Sequence, residues 1–397
     1  MNTNQNKGKI KLGIYAMAIL MMGVVGVSSS LTVIGAHFAD ASQNTIQSLI
    51  SIPCLIILPA TLISGKLMDF MPKKILGIIG IVFFLIGGIV PAVMDSITAI
   101  LVMRAVFGIG VGIVQSTTAA LVAENFEGAE YESVQGQMTS FQFVGCAVMM
   151  FVGGWLGDRA WNLSFYVHAV AIISIILALI CLPVVKPAKK AAAEGETVHK
   201  TTLTKGSWSW AFILFVLFLG VQVLTVYMSY LLAEKGIGGA SQAGLATAVS
   251  CIAGIIMGLL FGKLMGAAKN LTFAIGCLMM ALGYFICGMA GSIALVLIGC
   301  FVYGLAMATT MPAAFVATAN SVDMYSAAMA LSIATCMQNL AQFLAPYLFN
   351  AVVGATGSTK PSTLTYLLAA ALLAILGVCA VIWGARKNAA QKKAAAV

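Results

Sequence analysis

Twelve runs of about 20 mostly apolar residues, each long enough to cross a bilayer as a helix, occupy most of the chain. They lie at roughly 12–36, 45–64, 75–94, 97–121, 134–156, 163–184, 208–232, 242–262, 271–290, 293–318, 328–353 and 363–384. This pattern predicts an all-α membrane protein with twelve transmembrane helices. Composition agrees: 8% of the 397 residues are charged and the mean hydropathy is +1.03. A soluble domain carries about 25% charged residues. A soluble enzyme, a secreted disulfide scaffold and a disordered regulator are therefore excluded.

Charge placement sets the expected orientation. Lys7, Lys9 and Lys11 precede a first run that exceeds the apolar core of a cleaved signal peptide, about 7–15 residues, so it is read as a retained helix. With the N-terminus inside, seventeen Lys and Arg fall in cytoplasmic segments, against Arg159, Lys235 and Lys360 outside. That asymmetry satisfies the positive-inside rule with both termini cytoplasmic. The expected address is the cytoplasmic membrane of a bacterial cell. One inner loop departs from the rule, carrying Glu124, Glu127, Glu130 and Glu132 without a cation.

The net charge of +9 does not imply nucleic acid, because the basic residues are scattered between apolar runs without stacking aromatics. All nine cysteines lie in apolar stretches with no C-x-x-C pair, and read as free thiols acting as small hydrophobes. No metal or cofactor is expected. No G-x-x-x-x-G-K-[ST] is present, so ATP is not the expected energy source. No Ser/His/Asp set or carboxylate pair is placed for hydrolysis.

A hydrophilic stretch at 186–207 divides the runs six and six, giving expected units 1–185 and 208–397 joined by a cytoplasmic linker. The halves repeat at an offset of 196–197. Gly65-Lys66-Leu67-Met68 recurs as Gly262-Lys263-Leu264-Met265, Gly108 as Gly304, and Gln142 as Gln338. Two such pseudo-symmetric six-helix bundles put a small-solute site between the halves near the midplane, reached alternately from each side.

Several stretches resemble a known family. Gly65-Lys66-Leu67-Met68-Asp69-Phe70-Met71-Pro72-Lys73-Lys74 is similar to the loop signature G-x-L-x-D-R-x-G-R/K-R/K of the major facilitator superfamily, with Phe70 for its Arg and Pro72 for its second Gly. Arg104, Gly108 and Gly110 match the family's fourth-span motif. Gly136, Gly145, Gly153 and Gly154 have the spacing of its fifth-span antiporter motif, with Met149 and Met150 in place of the central Gly-Pro. Trp161 and Phe165 are similar to its entry into the sixth span. The resemblance covers essentially the whole chain and implies a twelve-span secondary transporter. It also implies that Arg104 serves proton coupling or substrate binding, and that the Asp69 loop latches the outward-open state.

Arg104 is the one charge well inside a span, where an ionisable group is costly unless it faces a partner or a cavity. Gly108 and Gln115 share its helix face. No acid lies in the middle of a span, which weakens a cationic-drug reading and favours an organic anion or a neutral solute. Gln142, Gln222, Tyr227, Tyr303, Gln338, Asn339 and Gln342 complete the expected substrate and coupling set. Interhelical hydrogen bonding is the competing account for each of them. Gly65, Asp69, Lys73, Lys74, Gly108, Gly145 and Pro346 form the expected gating set, with the acidic loop as partner for Lys73 and Lys74. His168 reads as a membrane-interface residue.

The expected activity is alternating-access transport of a small organic solute by a proton-linked monomer, leaning to antiport. Organic-anion uptake or exchange through Arg104 is the alternative. A non-transporting sensor of the same fold is the alternative of another class, and a channel has little support.

Overall fold

The structure, a computed structural model, describes residues 3–185, 204–323 and 326–394. Most of the expected linker, 186–203, lies outside them, with Lys186, Lys189, Lys190 and Lys200. The described residues are helical, without strands. We label the spans α1 (Lys7–His37), α2 (Gln43–Leu67), α3 (Lys73–Val93), α4 (Ile97–Asn125), α5 (Gly128–Gly157) and α6 (Trp161–Cys181). The remainder are α7 (Lys205–Lys235), α8 (Ala240–Ala268), α9 (Thr272–Met289), α10 (Ile293–Ala319), α11 (Ala327–Thr356) and α12 (Pro361–Ala394).

Among the described residues, eleven of these are long and apolar enough to cross a membrane by length and composition. The twelfth is α11, which carries Gln338, Asn339, Gln342 and Asn350. Most predicted boundaries agree with the helix ends, while α5 starts earlier and α8 and α12 run further.

The helix ends follow local chemistry. Ser42 and Thr204 accept from the backbone N–H three residues on, at 3.2 and 3.1 Å, and so cap α2 and α7. Gly236 (φ 65°) and Gly357 (φ 61°) close α7 and α11 in the left-handed conformation that glycine adopts without a Cβ penalty.

Two spans depart from the expected continuous helix. α1 is α-helical to Leu20, winds as a 3₁₀-helix over Gly23–Ser30, and resumes as α-helix at Leu31. α6 opens with a 3₁₀ stretch, Trp161–Ala169, before its α-helical part. Runs of 3₁₀ longer than about 3–4 residues are uncommon, because their hydrogen bonds are poorer.

The chain forms two compact units, Met1–Val198 with Ala243–Leu245, and His199–Gln242 with Ala246–Val397. Within each, close helix pairs meet through glycine, where small residues let backbones approach. A Cβ on Gly87 (α3) would lie 2.6 Å from Met103 O (α4), and one on Gly283 (α9) would lie 2.8 Å from Gly299 O (α10). Likewise Gly108 of α4 backs onto Pro53 of α2, and Gly304 of α10 onto Ser250 of α8. Each of these contacts recurs at the 196–197 offset, so the repeat read from sequence is also a repeat of packing.

Gly110→Val, which would drive a side chain into the α3 backbone at Gly80 O, should destabilise the chain by about 1–3 kcal/mol. Gly65→Ala, with nothing within 4 Å of its Cβ, should not. Melting temperatures of the two variants in detergent check the contrast.

Candidate functional site

The 3₁₀ segment of α1 leaves carbonyls without α-helical partners, and side chains from other spans of its unit supply them. Arg104, on α4, donates from Nε to Leu49 O of α2 at 2.8 Å and from Nη2 to Val24 O at 3.2 Å. The residue is 0% exposed. Its guanidinium lies 4.2 Å from the centre of the Phe107 ring, a cation–π distance. Among the described residues Arg104 has no ion pair, and its Nη1 has no partner.

His168, which the sequence suggests is a membrane-interface residue, is enclosed within its unit. The 3₁₀ opening of α6 carries it into the interior of the unit, fully buried. Its Nδ1 lies 2.8 Å from Phe165 O and its Nε2 lies 3.2 Å from Gly23 O. The imidazole packs edge-on to Phe107, with ring centres 4.9 Å apart, and fills the space left by Gly88. Ser29 and Ser30 complete the bracing by donating to Met150 O and Gly153 O of α5 at 3.2 and 3.0 Å.

The second unit repeats the arrangement with different chemistry. Gly220 and Val221 of α7 correspond to Gly23 and Val24 at an offset of 197. The Tyr284 hydroxyl, from α9, donates to Gly220 O at 2.7 Å and accepts from Leu224 N–H at 3.2 Å. Gly220 O and Leu224 N are an i, i+4 pair, so the hydroxyl sits within the helix ladder. Tyr303, from α10, donates to Val221 O at 3.3 Å and is buried. Tyr366 of α12 packs edge-on against Tyr284, with ring centres 5.4 Å apart.

The remaining candidates fall in several places. Gln222 is 4% exposed and its Nε2 has no partner; Gln338 Oε1, on α11, has none either. The Tyr227 hydroxyl lies 2.6 Å from Asn350 Oδ1 and 3.2 Å from Pro346 O, joining α7 to α11. Asn339 donates to Thr335 O at 3.0 Å within α11, and Gln142 reaches Met21 Sδ at 3.4 Å. Gln115 and Gln342 are half-buried. Among the described residues no cluster of three His, Cys, Asp or Glu side chains could hold a metal ion, and the nine cysteines are free.

At the end of the first unit where α2 meets α3, Gly65, Asp69 and Phe70 are exposed. Lys73 pairs with Glu124 at 2.8 Å, as the sequence suggested. Lys74 does not join the acidic loop but donates to Leu179 O at 2.7 Å. The loop that lacked a cation in sequence acquires three in space, because Lys7 and Lys11 lie 2.7 and 3.0 Å from Glu130 in addition to Lys73 at Glu124. Tyr15 bonds Gln137 beside them. The two ammonium groups hold the Glu130 carboxyl below the usual carboxylate range.

Sequence reasoning missed Tyr284, which has no polar counterpart in the first half, and it missed Glu234. The Glu234 carboxylate accepts from the Ser362 and Thr363 N–H groups at 2.6 and 3.1 Å and so caps α12. A single acid at the penultimate position of α7, facing a Pro-Ser-Thr helix start, was the available signal.

The Major Facilitator Superfamily profile matches residues 12–346 and again 210–397. The multidrug transporter protein MdtP of Bacillus subtilis (strain 168) is 26% identical over 116 residues, 29% of this chain and 21% of that one. The MFS-type transporter Rv1877 of Mycobacterium tuberculosis, itself uncharacterised, is 25% identical over 115 residues, 29% and 17% of the two chains. These matches thus span about a fifth of the curated relatives. Among solved structures, the nucleoside transporter NupG superposes with a TM-score of 0.75 at 16% identity, covering 94% of this chain and 99% of that one. A POT family transporter in complex with 5-aminolevulinic acid gives 0.77 at 12% identity, covering 96% of each.

Arg104→Ala should orphan the carbonyls of Leu49 and Val24 and cost about 1–3 kcal/mol for each, read as a lowered melting temperature. Glu130 should contribute stability above the ordinary carboxylate range and lose it as the pH falls through its lowered value. Acid titration of the melting temperature, with Glu130→Gln as the insensitive control, checks the sign.

Proposed function

The chain belongs to the Major Facilitator Superfamily, and from that membership we propose a secondary active transporter that moves a small organic solute by alternating access. In this reading it sits in the cytoplasmic membrane with both termini inside and couples transport to protons, with export in exchange for protons as the favoured direction. The observation that carries the reading is the interrupted first span. Backbone that leaves the α-helix at membrane depth is tolerated where protein buries it or where it lines a cavity, and discontinuous spans are where transporters hold solutes and ions. The partial antiporter spacing of Gly136, Gly145, Gly153 and Gly154, and the likeness of a short stretch to a protein named as a multidrug transporter, support export.

Gln115, Gln142, Gln222, Tyr227, Tyr303, Gln338, Asn339 and Gln342 are assigned to solute contact or coupling, together with Arg104. Gly65, Asp69, Lys73, Lys74, Gly108, Gly145 and Pro346 are assigned to gating. The ion pair of Lys73 with Glu124 is consistent with a charged latch at that end of the unit. Organic-anion uptake or exchange is the second reading, favoured by the unpartnered Nη1 of Arg104.

Flux into proteoliposomes, with and without a pH gradient, tests the reading over uridine, a dipeptide, benzoate and tetraphenylphosphonium. Saturable flux of at least one compound, raised several-fold by the gradient, is expected. Arg104→Lys should cut that flux about tenfold or more, since a single ammonium cannot reproduce the guanidinium fork. Flux of benzoate alone would select the anion carrier, binding without flux would select the sensor, and non-saturable flux would select a channel.

A further inference from the structure

We propose that the turn at residues 220–224 of α7 is a binding site for an uncharged solute bearing hydroxyl, carbonyl or amide groups. Gln222 is its contact, and Tyr284 and Tyr303 are its positioning residues. The proposal rests on the transporter reading and names the class of solute.

The turn is held on three backbone atoms. Tyr284 takes Gly220 O at 2.7 Å and Leu224 N–H at 3.2 Å, and Tyr303 takes Val221 O at 3.3 Å. A side chain inserted into the i→i−4 ladder is a recognised cause of local helix distortion. Both hydroxyls come from buried rings, with centres 5.1 Å apart, so the anchors are fixed by packing. The one polar side chain in this turn is Gln222. It is 4% exposed, and its amide nitrogen has no hydrogen-bond partner. Buried polar groups in native proteins are nearly always satisfied, and a group that is not calls for an explanation. A ligand supplies one.

A second unpartnered amide atom, Gln338 Oε1, lies on the helix that packs along α7. α7 and α11 start at the same end of the unit, because Thr204, ahead of α7, bonds Ser321, a few residues before α11. They therefore run parallel. Tyr227, bonded to Pro346 O and Asn350, sets their register. Gln222 lies five residues before Tyr227 and Gln338 eight before Pro346, so the two amides stand within about one turn of each other in height along the parallel helices.

Charge decides the solute class. Among the described residues Arg104 is the one buried Lys, Arg, Asp or Glu, and it lies in the other unit, bonded to Leu49 O and Val24 O. Among its described residues the second unit offers no buried counter-ion, and an ion buried among them would be unpaired. The repeat does not demand a polar group at this point either, since Val25 occupies the position matching Gln222.

The test uses the full chain in proteoliposomes. In Thr225→Cys, three residues on from Gln222 and on the same face of α7, a small water-soluble methanethiosulfonate should modify position 225, read by mass spectrometry against the native cysteines. An uncharged probe, uridine or glucose, should slow that modification about tenfold, while benzoate and tetraphenylphosphonium leave it unchanged. In flux, Tyr284→Phe should raise KM for the protecting probe about tenfold with kcat retained, a split that general loss of folded protein would not give. Absence of modification at 225, protection only by the charged probes, or protection by neither uncharged probe would overturn the proposal. Modification and protection without flux would uphold the site while sinking the transporter reading.

Discussion

In hydrocarbon no water stands ready to accept a stray backbone hydrogen bond, so every carbonyl that leaves the helix ladder needs a partner from within the protein. Much of the interior of both units answers that requirement. Where α1 turns to 3₁₀ at Gly23–Ser30, a guanidinium from α4 and an imidazole from α6 converge on its backbone, and two of its own serines fasten it to α5. Where α7 passes the corresponding point as unbroken α-helix, phenol hydroxyls also bond its backbone. Glycine-backed contacts between α3 and α4, and between α9 and α10, bring those donors close enough to reach.

The two halves thus share a plan and differ in chemistry. The first unit braces its turn with a permanent cation and a titratable ring; the second uses neutral hydroxyls and leaves an amide unspent on Gln222. The duplicated backbone was retained while the side chains around it diverged. Coupling to an ion and recognition of a solute call for different side chains, and two copies of one scaffold can carry them separately.

The twelve spans were legible because each is a run of apolar residues of membrane length, and the repeat because glycines and motif residues recur at one offset. Arg104 stood out because a charge at that depth demands an account, but its partners did not, since backbone carbonyls leave no mark in a sequence. The break in α1 was equally hidden. Gly23, Val24, Val25, Gly26 and Val27 are apolar and contain no proline, so hydropathy reads straight through them. The burial of His168 was not legible, since a residue near the start of a span carries no mark of the 3₁₀ opening in which it is enclosed. Of the acidic loop's three cations Lys73 was legible as a partner, while Lys7 and Lys11 were not, because they lie more than a hundred residues away along the chain.

That last separation has a bearing on how the protein is made. Lys7 and Glu130 are 123 residues apart, and a ribosome adding about 5–20 residues each second needs roughly 6–25 s to bridge that interval. Throughout it the amino-terminal lysines have no Glu130 to bind. Only when the fifth helix has been made can the clasp close, so this contact is one that the amino-terminal segment has to wait for.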